Sequence, residues 1–142
     1  MTRGFHVAEQ FGAPPEEVWS ALTDFANAQR WMNGVEEMVQ ETSGGLGLGT
    51  RFRFRSRGHV HHTVVTEFEA RQKIALTSTQ GGITATYVYR VLPSGCGSTI
   101  TLDATCTAQG YWKLLRPLIA YAMKRGDSRQ LANLAAVMRQ KA

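Results

Sequence analysis

The segment GAPPEEVWSALTDFANAQRWM, residues 12–32, places a helical pattern early in a chain that otherwise remains strand-like until about residue 107. Its two prolines suit the first turn of a helix, and the two glutamates after them suit the positive end of the helix dipole. Val18, Trp19 and Leu22 would share one apolar side of that helix. The segment therefore predicts a helix after the prolines and a second short helical segment over residues 24–31.

Strand-like segments flank this helical pair. Before it, Phe5, Val7 and Phe11 alternate with other residues, which predicts a first strand. After it, residues 35–107 remain strand-like between glycine-containing turns, and we expect about six further strands there. From residue 111 to the end the apolar residues follow a helical period, which predicts one long C-terminal helix.

This order of elements predicts an α+β fold of the helix-grip type. A meander of antiparallel strands followed by one long helix must bury one face of the sheet under that helix. We therefore expect a curved antiparallel sheet of about seven strands wrapped around the C-terminal helix, with two short helices after strand 1. Residues 1–142 would form a single domain, and an internal cavity would lie between the sheet and the helix.

Composition and charge describe an ordinary globular chain. It has 142 residues, 43% hydrophobic and 19% charged, and its formal net charge is +5. The N-terminus lacks the long apolar run of a signal peptide, and no segment reaches a membrane-spanning length. Cys96 and Cys106 do not form a C-x-x-C pair, so we expect two reduced thiols in a cytoplasmic protein.

The stretch RFRFRSRGHVHH, residues 51–62, concentrates positive charge on one strand. In a strand its arginines share one face and its two phenylalanines share the other. A nucleic-acid platform would need arginine and aromatic side chains on the same face, so nucleic acid is not the expected partner. We expect the arginines to be solvated, and an RNA- or protein-interaction strip is the weaker alternative.

The same stretch predicts a hairpin that closes at Arg57-Gly58. This closure would pair Phe54 with His61, direct His61 into the cavity and direct His62 outward. A one-residue bulge at the turn would exchange the two histidines, and the sequence leaves that alternative open. His59 and His61 would share a face, but no third ligand accompanies them, so we expect no metal and no cofactor.

Three further residues are candidates for chemistry inside the cavity. Glu9 shares the inward parity of the first strand, although a bulge or a paired arginine would give it a structural role. Tyr87 and Tyr89 would also point inward, where a tyrosine suits either a cavity lining or a core. The candidates for proton transfer are His61, Tyr87 and Glu9. The expected ligand-binding residues are Trp31, Phe52, Phe54, His61, Tyr87, Tyr89, Leu102, Tyr111, Leu115 and Leu118.

Several motifs resemble the START-like, birch-pollen-allergen-like (SRPBCC) superfamily, and within it the polyketide cyclase/dehydrase and lipid-transport family. The resemblance covers nearly the whole chain and rests on structural motifs. These are Ala13-Pro14, Val18-Trp19, Leu22, Asp24 and Trp31 in the first segment, the glycine-rich joint at 45–49, VTEFEARQKI at 65–74, LPSGCGSTI at 92–100 and the terminal helical segment at 110–138.

The resemblance implies that the cavity binds a small hydrophobic or aromatic ligand, polyketide- or lipid-like, as a carrier or sensor. An enzymatic role as a polyketide cyclase or dehydratase is the alternative, and the pattern leaves it open. Cyclases of this family are thought to use a pocket arginine and tyrosine. Here the hairpin arginines and Arg90 have outward parity, which counts against that alternative. Both a monomer and a homodimer fit the sequence, which does not identify the ligand.

Overall fold

Seven strands, two α-helices and one 3-10 helix make up the residues that the structure, a computed structural model, describes. These residues are 3–32, 35–56, 58–80, 82–95, 97–108 and 130–141. The elements are β1 (Arg3–Phe11), α1 (Pro15–Thr23), the 3-10 helix (Phe25–Arg30), β2 (Glu37–Gln40), β3 (Arg51–Ser56), β4 (His59–Glu69), β5 (Lys73–Gln80), β6 (Ile83–Ser94), β7 (Gly97–Ala108) and α2 (Gln130–Lys141).

The strands form one antiparallel sheet in the order β1-β7-β6-β5-β4-β3-β2. Strands β2 to β7 follow one another as a meander, and β1 returns to pair with β7, so β1 and β2 occupy the two edges. Helix α1 and the 3-10 helix lie between these edge strands in sequence. The predicted helix-grip arrangement, with about seven strands and two short helices after the first strand, is confirmed.

Apolar side chains from both helices cover the inner face of the sheet. Val18 and Leu22 of α1 are completely buried, as the helical pattern predicted, and Leu131 and Leu134 of α2 are almost completely buried. Burial of such side chains supplies most of the favourable free energy of folding. None of the helices in the described ranges combines the length and apolar character needed to cross a membrane. The predicted start of the terminal helix, residues 111–129, lies outside the described residues.

Inward-facing residues form rows across the sheet because neighbouring strands are antiparallel and in register. The deepest of three adjacent rows contains Ile74, Tyr89 and Leu102, all essentially inaccessible to solvent. The next row contains Leu76, Tyr87 and Ala104, and the third contains the small residues Ser78, Ala85 and Cys106. Side-chain size on β5 and β6 therefore falls along the strands, which leaves space near the third row.

The β3–β4 hairpin has the register that the sequence predicts. Phe54 lies opposite His61, Phe52 opposite Thr63 and Arg53 opposite His62. Gly58 turns the chain with φ of 79°, a conformation that costs glycine little, so the hairpin closes without a slip. A bulge occurs further along β4, between Val65 and Glu67, where it leaves the hairpin register unchanged.

Candidate functional site

A cavity of about 240 Å³ lies beside the row of small residues on the inner face of the sheet. Residues of β3 to β6 form its wall, Met32, Val35 and Met38 form one side, and the first described residue of α2 lies at another. Its described lining is mainly apolar and includes several hydroxyl, amide and imidazole groups. The lining residues are Met32, Val35, Met38, Phe54, His61, Thr63, Leu76, Ser78, Tyr87, Tyr89 and Gln130.

Stacking of Phe54 and His61 forms one wall of the cavity. The two rings are cross-strand partners, their centroids are 5.2 Å apart, and their planes make an angle of 22°. The stack covers a face of the imidazole, and both ring nitrogens lie at its edge, where they are able to form hydrogen bonds. His61 is half-buried, so its ring nitrogens can reach a molecule in the cavity from this wall.

A hydrogen bond joins the sheet to α2 at the deep end of the cavity. The Tyr89 hydroxyl donates to Oε1 of Gln130 over 2.6 Å, and both side chains are buried. The Trp31 ring meets the Tyr89 ring edge-on, with centroids 6.2 Å apart and an interplanar angle of 86°. Nδ2 of Asn133 in α2 also donates to the Trp31 carbonyl oxygen over 3.3 Å. Tyr89 is therefore held by α2 and by Trp31, which Asn133 in turn links to α2.

Four of the expected ligand-binding residues lie together in the described lining, namely Phe54, His61, Tyr87 and Tyr89. His61 points into the cavity and His62 points outward, so the hairpin alternative left open by the sequence is resolved in favour of His61. These placements satisfy the geometric part of the prediction. The ligand-binding role of each residue stays a prediction.

Three other expected residues lie in the core behind the lining. Trp31 packs against the far side of Tyr89, and Phe52 meets Phe25 edge-on at 5.0 Å. Leu102 is completely buried in the deepest row. Inward parity identifies the buried face of a strand but does not separate cavity surface from core, which explains the difference for Phe52 and Leu102. Trp31 follows the 3-10 helix, where strand parity does not apply.

Glu9 does not join the other candidates for proton transfer. It is half-buried on β1 opposite Ile100 of β7 and lies outside the described cavity lining. Strand β7 separates β1 from β6, which carries Tyr87, so the inward parity of Glu9 places it over another part of the core. Tyr111, Leu115 and Leu118 lie outside the described residues.

Sequence reasoning missed most of the smaller and more flexible lining residues. Leu76 and Ser78 lie two and four residues after buried Ile74 on β5 and share its face of the sheet, so strand parity would have identified both. Met32 and Met38 come from the turn region before β2 and from β2 itself, where no regular period marks them. Gln130 is recognisable only through its bond to Tyr89, which no local pattern encodes.

The outer face of β2, β3 and β4 carries the arginines of the hairpin. Arg51, Arg53 and Arg55 are exposed, as predicted from their alternation with phenylalanine. Acidic residues interleave with them, since Glu37 lies opposite Arg55 and Glu41 Oε1 lies 3.0 Å from His62 Nδ1. This face is therefore a mixed-charge surface.

Arginine is missing from the cavity lining within the described ranges. Arg90, which has outward parity, donates instead to Oδ2 of Asp103 over 3.1 Å on the outer side of the sheet. The same ranges contain no cluster of three or more histidine, cysteine, aspartate or glutamate side chains that could hold a metal ion. The described lining thus offers imidazole, hydroxyl and amide groups for chemistry or recognition.

Comparison with solved structures shows the same fold in proteins of low sequence identity. The Zhui aromatase/cyclase from a Streptomyces species superposes with a TM-score of 0.80 at 13% identity, covering 99% of this chain and 96% of that one. A START superfamily protein from Mycobacterium smegmatis superposes with a TM-score of 0.79 at 14% identity, covering 97% of this chain and 98% of that one. A Thermus thermophilus protein gives 0.75 at 20% identity and covers both chains completely.

Comparison of sequences gives the family. No curated protein matches this chain significantly. The sequence pattern of one family, described as polyketide cyclase / dehydrase and lipid transport, matches residues 3–139. The match spans almost the whole chain and agrees with the START-like fold and with the motifs of the first helical segment. The chain therefore belongs to the polyketide cyclase/dehydrase and lipid transport family.

Proposed function

We propose that this protein binds a compact hydrophobic or aromatic ligand, polyketide- or lipid-like in chemistry, and acts as a carrier or sensor. The observation that carries the proposal is the cavity beside the row of small residues, with its mainly apolar lining. Binding sites for small molecules typically combine an apolar lining with a few polar groups that set orientation. Membership of the polyketide cyclase/dehydrase and lipid transport family supports the same function.

The size of the cavity favours a compact ligand. Its volume of about 240 Å³ falls below the roughly 300–1,000 Å³ of sites that enclose drug-sized molecules. Apolar surface of such a ligand would contribute about 25 cal/mol per Å² removed from water. Met32, Met38 and Leu76 supply much of the apolar contact, while His61 and Gln130 supply polar contacts at opposite parts of the lining.

A second candidate function is that of a cyclase or dehydratase, and one observation favours it. His61 and Tyr87 line the same cavity, so an imidazole could accept a proton from a carbon next to a ketone while a phenol stabilises the enolate oxygen. The cavity would contribute by holding a poly-β-ketone chain in a folded conformation. Against it, Glu9 lies elsewhere and the described lining contains no arginine.

Native mass spectrometry of the freshly purified protein, followed by a denaturing run on the same sample, tests the proposed function. We expect a non-covalent adduct with the mass of one small apolar molecule, which disappears on denaturation. Substrate and product masses that differ by one water would favour the dehydratase instead. An adduct-free protein that also fails to bind any of a panel of small aromatic compounds would contradict ligand binding altogether.

Filling the cavity supplies a matched variant for that experiment. Ser78 lines the cavity, whereas its neighbour Thr79 points to the outer face and is exposed. We expect Ser78→Phe to abolish the adduct and to lower the affinity for an aromatic compound at least tenfold, because the new ring occupies the ligand's space. Thr79→Phe should leave both unchanged. Equal behaviour of the two variants would show that the ligand binds elsewhere.

A further inference from the structure

Gln130, the first described residue of α2, is a buried amide at the surface of the cavity. Its side chain is 5% exposed and belongs to the lining. Tyr89 approaches it from β6 and donates its hydroxyl proton to Oε1 over 2.6 Å. The contact brings a polar group from the helix to the lining of the cavity.

An inventory of hydrogen bonds shows what this amide still offers. A glutamine side chain has one acceptor oxygen and two N–H donors. The oxygen already accepts from Tyr89, and among the described residues no acceptor partners Nε2. A buried donor without a partner is costly, so such groups in proteins are usually satisfied by water or by a ligand. Since no described residue accepts from Nε2 of Gln130, we take this group to mark the position of an acceptor.

We propose that Gln130 determines ligand specificity by donating a hydrogen bond from Nε2 to a carbonyl oxygen of the bound molecule. This inference rests on the proposed function. The ligand would be a compact ring system carrying a ketone, quinone or ester carbonyl, with that oxygen directed toward α2. Its apolar body would lie against Met38, Phe54 and Leu76, which line the same cavity.

Tyr89 acts as a positioning residue in this arrangement. By donating to Oε1 it fixes which end of the amide faces Tyr89 and leaves the N–H groups for the ligand. Its own orientation is fixed by the edge-on contact with Trp31. A ligand oxygen that can only accept thus finds a donor held in place before binding, which reduces the conformational cost of recognition.

Calorimetric binding of 1-tetralone and of tetralin tests the inference, since the two bicyclic compounds differ in one carbonyl group. We expect the protein to bind 1-tetralone about threefold to tenfold more tightly, the range of one net hydrogen bond. Gln130→Leu should remove this preference, so that the two compounds bind with equal affinity. Tyr89→Phe should reduce the preference, because the amide is no longer oriented. The exposed Gln10→Leu on β1 serves as the matched control and should retain it.

The outcomes separate this inference from the function on which it rests. Equal affinities for the two compounds, or an unchanged preference in Gln130→Leu, would overturn the role of Gln130 while leaving ligand binding intact. Binding of neither compound would overturn the inference about Gln130, and together with an adduct-free protein in native mass spectrometry it would overturn the proposed function as well. If Gln130→Leu fails to fold, Gln130→Glu provides the test. The glutamate keeps an acceptor oxygen for Tyr89 but lacks the N–H donors of the amide. A retained preference for 1-tetralone would then contradict the inference.

Discussion

Leu102 and Leu76 are the same residue type on the same face of the sheet, but their surroundings differ. Leu102 is completely buried in the deepest row beside Tyr89, whereas Leu76 borders the cavity. The stability contributed by a core leucine depends on how many neighbouring atoms surround it and on how the site relaxes when it is shortened. Shortening a leucine in the deepest row should therefore reduce stability more than shortening one beside the cavity.

We expect Leu102→Ala to lower the free energy of unfolding by about 2–5 kcal/mol, the range for a leucine deleted from a close-packed core. Leu76→Ala should lower the free energy of unfolding by a clearly smaller amount, because one side of Leu76 already faces the cavity. Urea denaturation of both variants measures the difference. Equal losses would show that the cavity-facing side of Leu76 is as closely packed as the core.

At the level of single residues, parity along strands predicted part of the site. It directed Phe54, His61, Tyr87 and Tyr89 inward, and all four line the cavity. It did not distinguish the lining from Leu102 behind it, because both kinds of residue face the same way. Gln130 could not be predicted, since its role depends on a contact with a strand far away in the sequence.

Strands β1 and β7 come into close contact where β7 begins beside the end of β1. A β-carbon on Gly97 would overlap the carbonyl oxygen of Phe11, so only glycine fits there without movement of the backbone. Next to it, the buried Ser98 hydroxyl donates to the carbonyl oxygen of Ala13 over 2.8 Å. This contact fixes the corner at which the chain leaves β1 and enters α1.

We expect Gly97→Ala to destabilise the protein by at least about 1–3 kcal/mol, the usual cost of forcing an extra carbon into a packed site. Gly47→Ala is the matched control, because no heavy atom lies within 4 Å of the β-carbon that it adds. Thermal unfolding followed by circular dichroism compares the two. If the Gly97→Ala variant is as stable as the control, the backbone around Gly97 and Phe11 can shift at little energetic cost.

Elements with strong local signals were predicted well. The observed α1 (Pro15–Thr23) begins at the second proline of the helical segment, and the 3-10 helix (Phe25–Arg30) falls within the expected range 24–31. The hairpin register also agreed, because glycine at the turn adopts the positive φ that closes it directly. The close contact at Gly97 was not predictable, since it depends on how β1 meets β7.

For the whole molecule, the formal net charge of +5 does not create a purely cationic hairpin face. Arg53 and Arg55 share the outer face with Glu37 and Glu41, and Glu41 pairs with His62. Nucleic-acid affinity depends on how many backbone phosphates are neutralised by neighbouring cations. Interleaved carboxylates would repel those phosphates.

We expect the protein to bind single-stranded RNA no more tightly than about 10⁻⁴ M at physiological salt, the weak end of non-specific binding. Replacing Arg51, Arg53 and Arg55 together by alanine should change this little. Fluorescence anisotropy of a labelled RNA at low and at physiological salt measures both proteins. Tight binding that weakens with salt and is lost in the triple variant would instead favour the interaction strip.

The fold of the whole chain was predictable from the sequence, whereas its function was not. Alternation, turns and the terminal helical period indicated the helix-grip order of elements, and the motifs of the first helical segment indicated the family. Those motifs position the backbone, and one backbone arrangement supports many activities. The ligand depends instead on the side chains that surround the cavity.

The decrease in side-chain size from the row of Ile74 to the row of Ser78 has a consequence for how this protein can diverge. Ile74 and Leu102 of the deepest row are completely buried and outside the cavity lining, whereas Tyr89 of the same row and Ser78 at the other end of β5 both contact the cavity. We therefore expect substitutions at Ser78 to change the shape of the cavity while the completely buried residues of the deepest row maintain the folded state. Engineered variants should therefore accept differently shaped ligands through changes at the small end of the strands, without a compensating redesign of the core.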